Sequence, residues 1–305
     1  CKEAKNLCHQ VTNQLKCREE KQKMKTLKSK VFIFPGILIA LSTFVSFLLL
    51  PIAAQAQGRP KGHLFIIGGG DRSEDMMKRF IELSSKAGQG RIVVLPMASS
   101  TPEETGKSLV EEFQNLGARD VVFYNFTRRE AEDYARARWL ADSGGIFFSG
   151  GDQSRITEAI LDTPVHKMIL NLYQQGAVIG GTSAGATVMS ELMITGDEAR
   201  KPEEGHEFET IEAGNVILAR GLGLIKTAII DQHFATRRRH NRLISVIAGH
   251  PELLGIGIDE DTAIIVYPDQ SFDVIGNKNV IIYDASKAQI TAGPRRSIGI
   301  RGLIM

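Results

Sequence analysis

Between His63 and Gly181, short uninterrupted apolar runs alternate with amphipathic stretches, and this alternation constrains the fold more than any other feature of the chain. The apolar runs are HLFIIGGG (63–70), RIVVLPMA (91–98), DVVFYNFT (120–127), GGIFFSGG (144–151) and AVIGG (177–181); helical periodicity fills 74–86, 103–116, 129–140 and 156–173. Strands that are apolar at every position, rather than at every second one, must be covered on both faces, and parallel neighbours need crossover helices. The pattern therefore predicts an α/β fold, a mostly parallel sheet with helices on both faces. Beyond the fifth run the signal changes to short strands (NVILAR, TAIIDQHF, AIIVYPDQ, SFDVIG, NVIIYDA) with one helix, 239–248, which predicts an antiparallel C-terminal extension of a single domain spanning 57–305. The charged segment 196–205 reads as an exposed loop, and 294–305 as an irregular tail.

Ligands of doubly wound sheets gather outside the carboxyl ends of the strands. Four turns fall there: GGGD (68–71), PMASS (96–100), SGGDQ (149–153) and GGTSAG (180–185). The first lacks GK[ST] and the third lacks a dinucleotide fingerprint, so neither argues for a phosphate site. The fourth holds Ser183 between a short apolar strand and residues 184–193, which keep apolar groups at helical spacing. G-T-S-A-G at such a bend matches a nucleophile elbow, where small neighbours permit a strained turn that exposes the serine hydroxyl. Similar turns also serve tight helix-on-sheet packing, so the serine needs partners.

A serine hydroxyl attacks only when a positioned base takes its proton. Of the six histidines after residue 57, His63 precedes a strand, His166 sits in a helical stretch, His206 lies in the charged loop, and His240 and His250 flank a helix. His233 differs, since it ends the strand-like TAIIDQHF and so falls on the rim. In GIGIDEDTAIIV (255–266) three carboxylates close an apolar strand; alternation turns Glu260 inward with Ile256 and Ile258, and Asp259 and Asp261 outward. An inward carboxylate beside His233 would complete a Ser183, His233, Glu260 set. The oxyanion would rest on the amide of Ala184 and one from the Gly150–Asp152 turn, Gly151 or Asp152. An α/β-hydrolase order is the alternative, with the acid at Asp197 or Glu198 and His250 or His233 as base. No metal or cofactor is called for: there is no HExxH and no Cys/His cluster.

Arg237, Arg239 and Arg242 follow His233 across a strand-to-helix junction, where guanidinium forks suit carboxylate ligands. The competing reading is a set of ion pairs at the helix start, beside its positive end. Asp231, or the carboxylate of an acidic neighbour, could receive a cationic substrate group.

The first sixty residues are unlike the rest. MKTLKSK from Met24, the apolar run 31–53 and AQA before Gln57 read as a secretory signal with the true start at Met24 and cleavage after Ala56, or else as an uncleaved anchor. The protein is then expected in a periplasm or outside the cell. All three cysteines (Cys1, Cys8, Cys17) precede Met24, which leaves no disulfide framework. Setting aside the nine Lys/Arg and three Asp/Glu of residues 1–56 leaves 28 basic and 32 acidic side chains, so a nucleic-acid role has little electrostatic support.

Gly150–Gln153, GGTSAGATVMSE (180–191), GLGLI with IIDQHFATRRRHNRL (221–243) and GIGIDEDTAI (255–264) together resemble the serine peptidase family that contains the cyanophycinases and the aspartyl dipeptidase peptidase E. The resemblance covers nearly all of 62–285. It implies a flavodoxin-like, class I glutamine-amidotransferase-like fold, a homodimer, and hydrolysis of cyanophycin, a polyaspartate bearing arginine on each side chain, to β-Asp-Arg. It makes Ser183 the nucleophile, His233 the base and Glu260 the acid. Gln153, Asp231, Gln232, Arg237, Arg239 and Arg242 resemble the residues lining the substrate pocket. A peptidase E-like dipeptidase and a non-catalytic binder of acidic peptides remain as alternatives. The secretion signal departs from the cytosolic storage-granule enzymes of the family.

Overall fold

The computed structural model describes residues 59–203, 205–292 and 297–305; the expected leader and its cleavage point lie outside them. The strands are β1 (His63–Ile67), β2 (Arg91–Leu95), β3 (Val121–Phe123), β4 (Ser143–Phe148), β5 (Val178–Thr182), β6 (Leu192–Glu198), β7 (Val216–Arg220), β8 (Ala228–Asp231), β9 (Leu254–Ile258), β10 (Thr262–Val266), β11 (Phe272–Gly276), β12 (Val280–Asp284), β13 (Gln289–Ala292) and β14 (Ile298–Arg301). The helices are α1 (Glu74–Ser85), α2 (Pro102–Asn115), α3 (Arg128–Ala131), α4 (Tyr134–Ala137), α5 (Gln153–Ile160), α6 (Pro164–Gln175), α7 (Ala184–Thr187) and α8 (His240–Gly249).

The central sheet runs β11-β10-β1-β5-β4-β2-β3, with its last five strands parallel and β10 and β11 antiparallel. Begun at β2, the parallel part has the flavodoxin order 2-1-3-4-5, with β1 in the place of the fifth strand, a circular permutation of that topology. Successive β1 side chains feed different cores: Phe65 and Ile67 pack with Phe80 of α1 and Phe113 of α2, whereas Leu64 and Ile66 pack with Ile156 of α5 and Ile169 of α6. This is why the strands are apolar throughout. The rings of Phe65, Phe80, Phe113 and Phe147 meet at centroid distances of 5.3–5.6 Å, and burial of each is worth about 1.5–3 kcal/mol.

Several expected elements are shorter or divided. The stretch 156–173 splits into α5 and α6 because Thr163 caps the amide of His166 and Pro164 starts a new helix. The stretch 129–140 breaks into α3, α4 and one 3-10 turn, with Thr127 and Glu130 forming a capping box. The helix expected over 184–193 is the single turn α7. The supposed tail forms β14, paired with β13. Most consequential, β8 is not in the central sheet: it lies parallel to β9 in a separate β12-β9-β8 sheet. Among the described residues no helix is long and apolar enough to cross a membrane.

Candidate active site

Ser183 follows β5 directly, its amide donating to the Ile67 carbonyl of β1 at 3.0 Å, and its backbone is held at φ 55°, ψ −111°. A non-glycine residue there is strained, typically by about 1–3 kcal/mol. The turn closes because its neighbours are small: a Cβ on Gly181 would lie 2.4 Å from the Gly185 carbonyl oxygen, and one on Gly185 would strike Phe148.

The hydroxyl of Ser183 lies 2.9 Å from His233 Nε2 and 3.3 Å from Gln232 Oε1. On its other side, His233 Nδ1 is 2.6 Å from Glu260 Oε1. A carboxylate there fixes the tautomer, because Nδ1–H donates to Glu260 and Nε2 is left to accept from the serine. His233 sits just beyond β8 at φ 48°, with its amide donating to the Gly68 carbonyl at 2.7 Å. The GGGD turn after β1 cradles both partners: Gly69 has φ 110°, and a Cβ on it would come within 2.4 Å of the imidazole. The turn that sequence leaves without a ligand thus acts as the seat of the histidine.

Glu260 reaches His233, but not by strand alternation. β9 ends at Ile258, and residues 259–261 turn, with Asp261 at φ 51°. Asp259, expected outward, is 4% exposed and accepts the Thr236 amide at 2.9 Å, which fixes the chain just after His233. Lys278 is a site residue that sequence reasoning missed, since nothing in its local pattern marks it. Its ammonium stands 3.6 Å from Glu260 Oε2 and donates to Thr236 Oγ1. The hydrogen bond from His233, with the charges of Lys278 and Arg237, holds the Glu260 carboxyl below its ordinary range.

Burial lowers the pKa of His233, outweighing the bond to Glu260, and the cations of Arg237 and Arg239 act in the same direction. The imidazole is therefore neutral, and able to accept a proton, to lower pH than a free one. With His233 as base, kcat/KM is expected to rise with pH through a midpoint below 6.5 and then level off. A pH profile with its acidic midpoint above 6.5 would contradict this account.

The oxyanion expectation needs one correction. Among the described residues the amides of Ala184, Gly150 and Gly151 make no backbone hydrogen bond, and the Gly150 turn runs against Ser183, since a Cβ on Gly150 would lie 3.4 Å from the serine Cβ. The Asp152 amide is already committed to the Ala98 carbonyl at 2.9 Å, so it is not a free donor.

The expected substrate residues divide. Gln232 is buried against the serine, and Arg237 is exposed. Arg239 is largely buried and donates to the Gln232 carbonyl; burial, with Arg242 nearby, pushes its pKa down to about 10. Asp231 and Arg242 do not line a pocket. Both are buried and joined by two hydrogen bonds, one of them Nε to Oδ2 at 3.0 Å, with the Arg242 guanidinium over the Phe208 ring. For Arg242 the ion-pair reading holds. Gln153 is also buried, its side-chain amide donating to the carbonyls of Ile194 and Thr195 and so tying α5 to β6. Of the residues in the hydrolase alternative, His233 takes its carboxylate from Glu260 and not from Asp197 or Glu198, Glu198 accepts from Phe208 and Asn215, and His250 pairs with Glu252. Among the described residues no cluster of His, Cys, Asp or Glu is arranged to hold a metal.

The model of peptidase family S51 matches residues 64–275, a span that contains Ser183, His233 and Glu260. The chain belongs to peptidase family S51. Relatives of this S51 peptidase include a cyanophycinase of Trichormus variabilis, 35% identical over 239 residues, 77% of this chain and 77% of that protein. Another is a cyanophycinase of Geminocystis herdmanii, 35% identical over 236 residues, 76% of this chain and 84% of that protein. The solved structure of a peptidase from an acI-B1 Actinobacterium shares the fold, with a TM-score of 0.58 at 24% identity over 75% of this chain and 93% of that one. The S51 peptidase described here is accordingly a serine-type hydrolase.

Proposed function

We propose that this S51 peptidase degrades cyanophycin to β-Asp-Arg dipeptides through an acyl-enzyme on Ser183. The observation that carries the reading is the Ser183–His233–Glu260 hydrogen-bonded series at the foot of an arginine-rich arm, in a chain 35% identical to cyanophycinases. Ser183 Oγ attacks the scissile carbonyl carbon while His233 Nε2 takes its proton. The resulting oxyanion accepts hydrogen bonds from Ala184 and from Gly150 or Gly151, a contribution of about 2.7–4 kcal/mol per donor in such sites. His233 then protonates the leaving amine, the C–N bond breaks, and an ester remains on Ser183. Water, deprotonated by His233, attacks that ester and releases the serine. Glu260 keeps the imidazole in register and stabilises the imidazolium. Arg237, exposed beside the pair, and Arg239 behind it supply a positive edge for the carboxylates of a polyaspartate end.

Purified protein incubated with cyanophycin is expected to release β-Asp-Arg, identified by product mass. Intact polymer in the presence of folded protein would reject the substrate. Cleavage of α-aspartyl dipeptides in its place would assign a peptidase E-like activity.

A further inference from the structure

Beside Ser183 lies a recess of about 320 Å³ that the mechanism above does not use. Arg72, Glu104, Thr105, Ser149, Gly150 and Thr182 line it, so its floor is formed by the residue preceding the serine and by the turn that carries the oxyanion amides. None of the arginine arm contributes to it. Its charge is decided by what Arg72 already holds. The guanidinium is bound through two nitrogens to Glu112, at 3.3 and 2.5 Å, so that cation is neutralised in place. Glu104, in the first turn of α2, is exposed, and among the described residues its carboxylate makes no hydrogen bond or ion pair. Arg72 also lines a second recess of about 490 Å³, which includes Asp71, likewise without a side-chain partner among the described residues. The wall on this flank of the serine thus presents carboxylates with no cationic side-chain partner among the described residues, while the flank that bears Arg237 presents positive charge.

We propose that Glu104 forms the subsite for a guanidinium group of the substrate, with the carboxylates of the same substrate directed to the arginine arm. This rests on the cyanophycin reading and adds to it the polarity of binding: arginine side chain toward α2, aspartate backbone end toward Arg237. A guanidinium offers a planar fork of donors matched to one carboxylate, whereas a neutral group of the same shape loses the charge-assisted bond.

The test compares β-Asp-Arg oligomers with oligomers carrying citrulline, whose urea keeps the shape and lacks the charge, using the full chain. Wild-type enzyme is expected to favour arginine by about tenfold or more in kcat/KM, and Glu104→Gln to bring the ratio close to one, chiefly through KM. Glu104→Asp should keep most of the preference. An arginine-to-citrulline ratio unchanged in Glu104→Gln overturns the assignment. Equal wild-type rates on the two oligomers overturn it while leaving cyanophycin hydrolysis intact. Failure of the wild-type enzyme on both removes the cyanophycin reading and the subsite with it.

Discussion

Ser183→Ala is expected to lower kcat by about 10⁵-fold or more, leaving at most the residual rate that binding and oxyanion stabilisation sustain. The size follows from the single hydroxyl that faces His233 Nε2 at 2.9 Å. A serine-directed fluorophosphonate should label the wild-type enzyme and spare the variant. Turnover within tenfold of wild type would eliminate Ser183 as nucleophile. A companion substitution separates chemistry from strain. Ser183→Ala and Ser183→Gly both lose the hydroxyl, but at φ 55°, ψ −111° only glycine is at ease. Glycine normally weakens a fold by about 0.5–1 kcal/mol through the unfolded chain, whereas strain at such a residue is about 1–3 kcal/mol. The glycine variant is therefore expected to melt about 2–4 °C above the alanine variant, a reversal of the usual order. Catalysis is what keeps a side chain at this bend.

Asp231→Ala should destabilise the protein by about 3–5 kcal/mol, because it leaves the buried guanidinium of Arg242 without its partner. In a chain of this size the melting temperature should fall by roughly 10 °C, read by calorimetry or circular dichroism. Replacing both partners together, Asp231→Leu with Arg242→Met, should recover most of the loss, since the charged pair is costly to desolvate. The contrary result is informative. If Asp231→Asn left the melting curve unchanged and raised only KM, Asp231 would belong to the substrate and not to the seam behind it.

The parts of the site legible in the sequence are those where a local pattern and the fold agree. Uninterrupted apolar runs demanded a two-sided sheet, and the sheet places the turns after β1, β4 and β5 side by side. Ser183 was visible because its neighbours must be small, and His233 because a polar residue ends an apolar run. Glu260 was reached by an alternation that stops at Ile258; the turn that in fact presents it depends on Asp259 being buried under Thr236, a tertiary contact with no local signature. Asp231 and Arg242 were misread for a related reason. A charged residue at a strand end looks the same in sequence whether it faces a ligand or another charge from the next helix. The Thr163–Pro164 break was written in the chain, as a cap followed by a residue without an amide hydrogen, and periodicity alone passes over it.

The nucleophile stands at the end of β5 in the central sheet, its base just beyond β8 in a separate three-stranded sheet, and its acid in the turn that joins β9 of that sheet to β10 of the central one. Proton transfer therefore runs between residues carried by two sheets, which are tied at this point by the amides of His233 and Asp261 donating to the Gly68 and Gly69 carbonyls. A change in the GGGD turn that loosened those two bonds would part base from nucleophile while sparing both hydrogen-bond ladders, so turnover gauges how well the sheets are registered and bulk secondary structure does not.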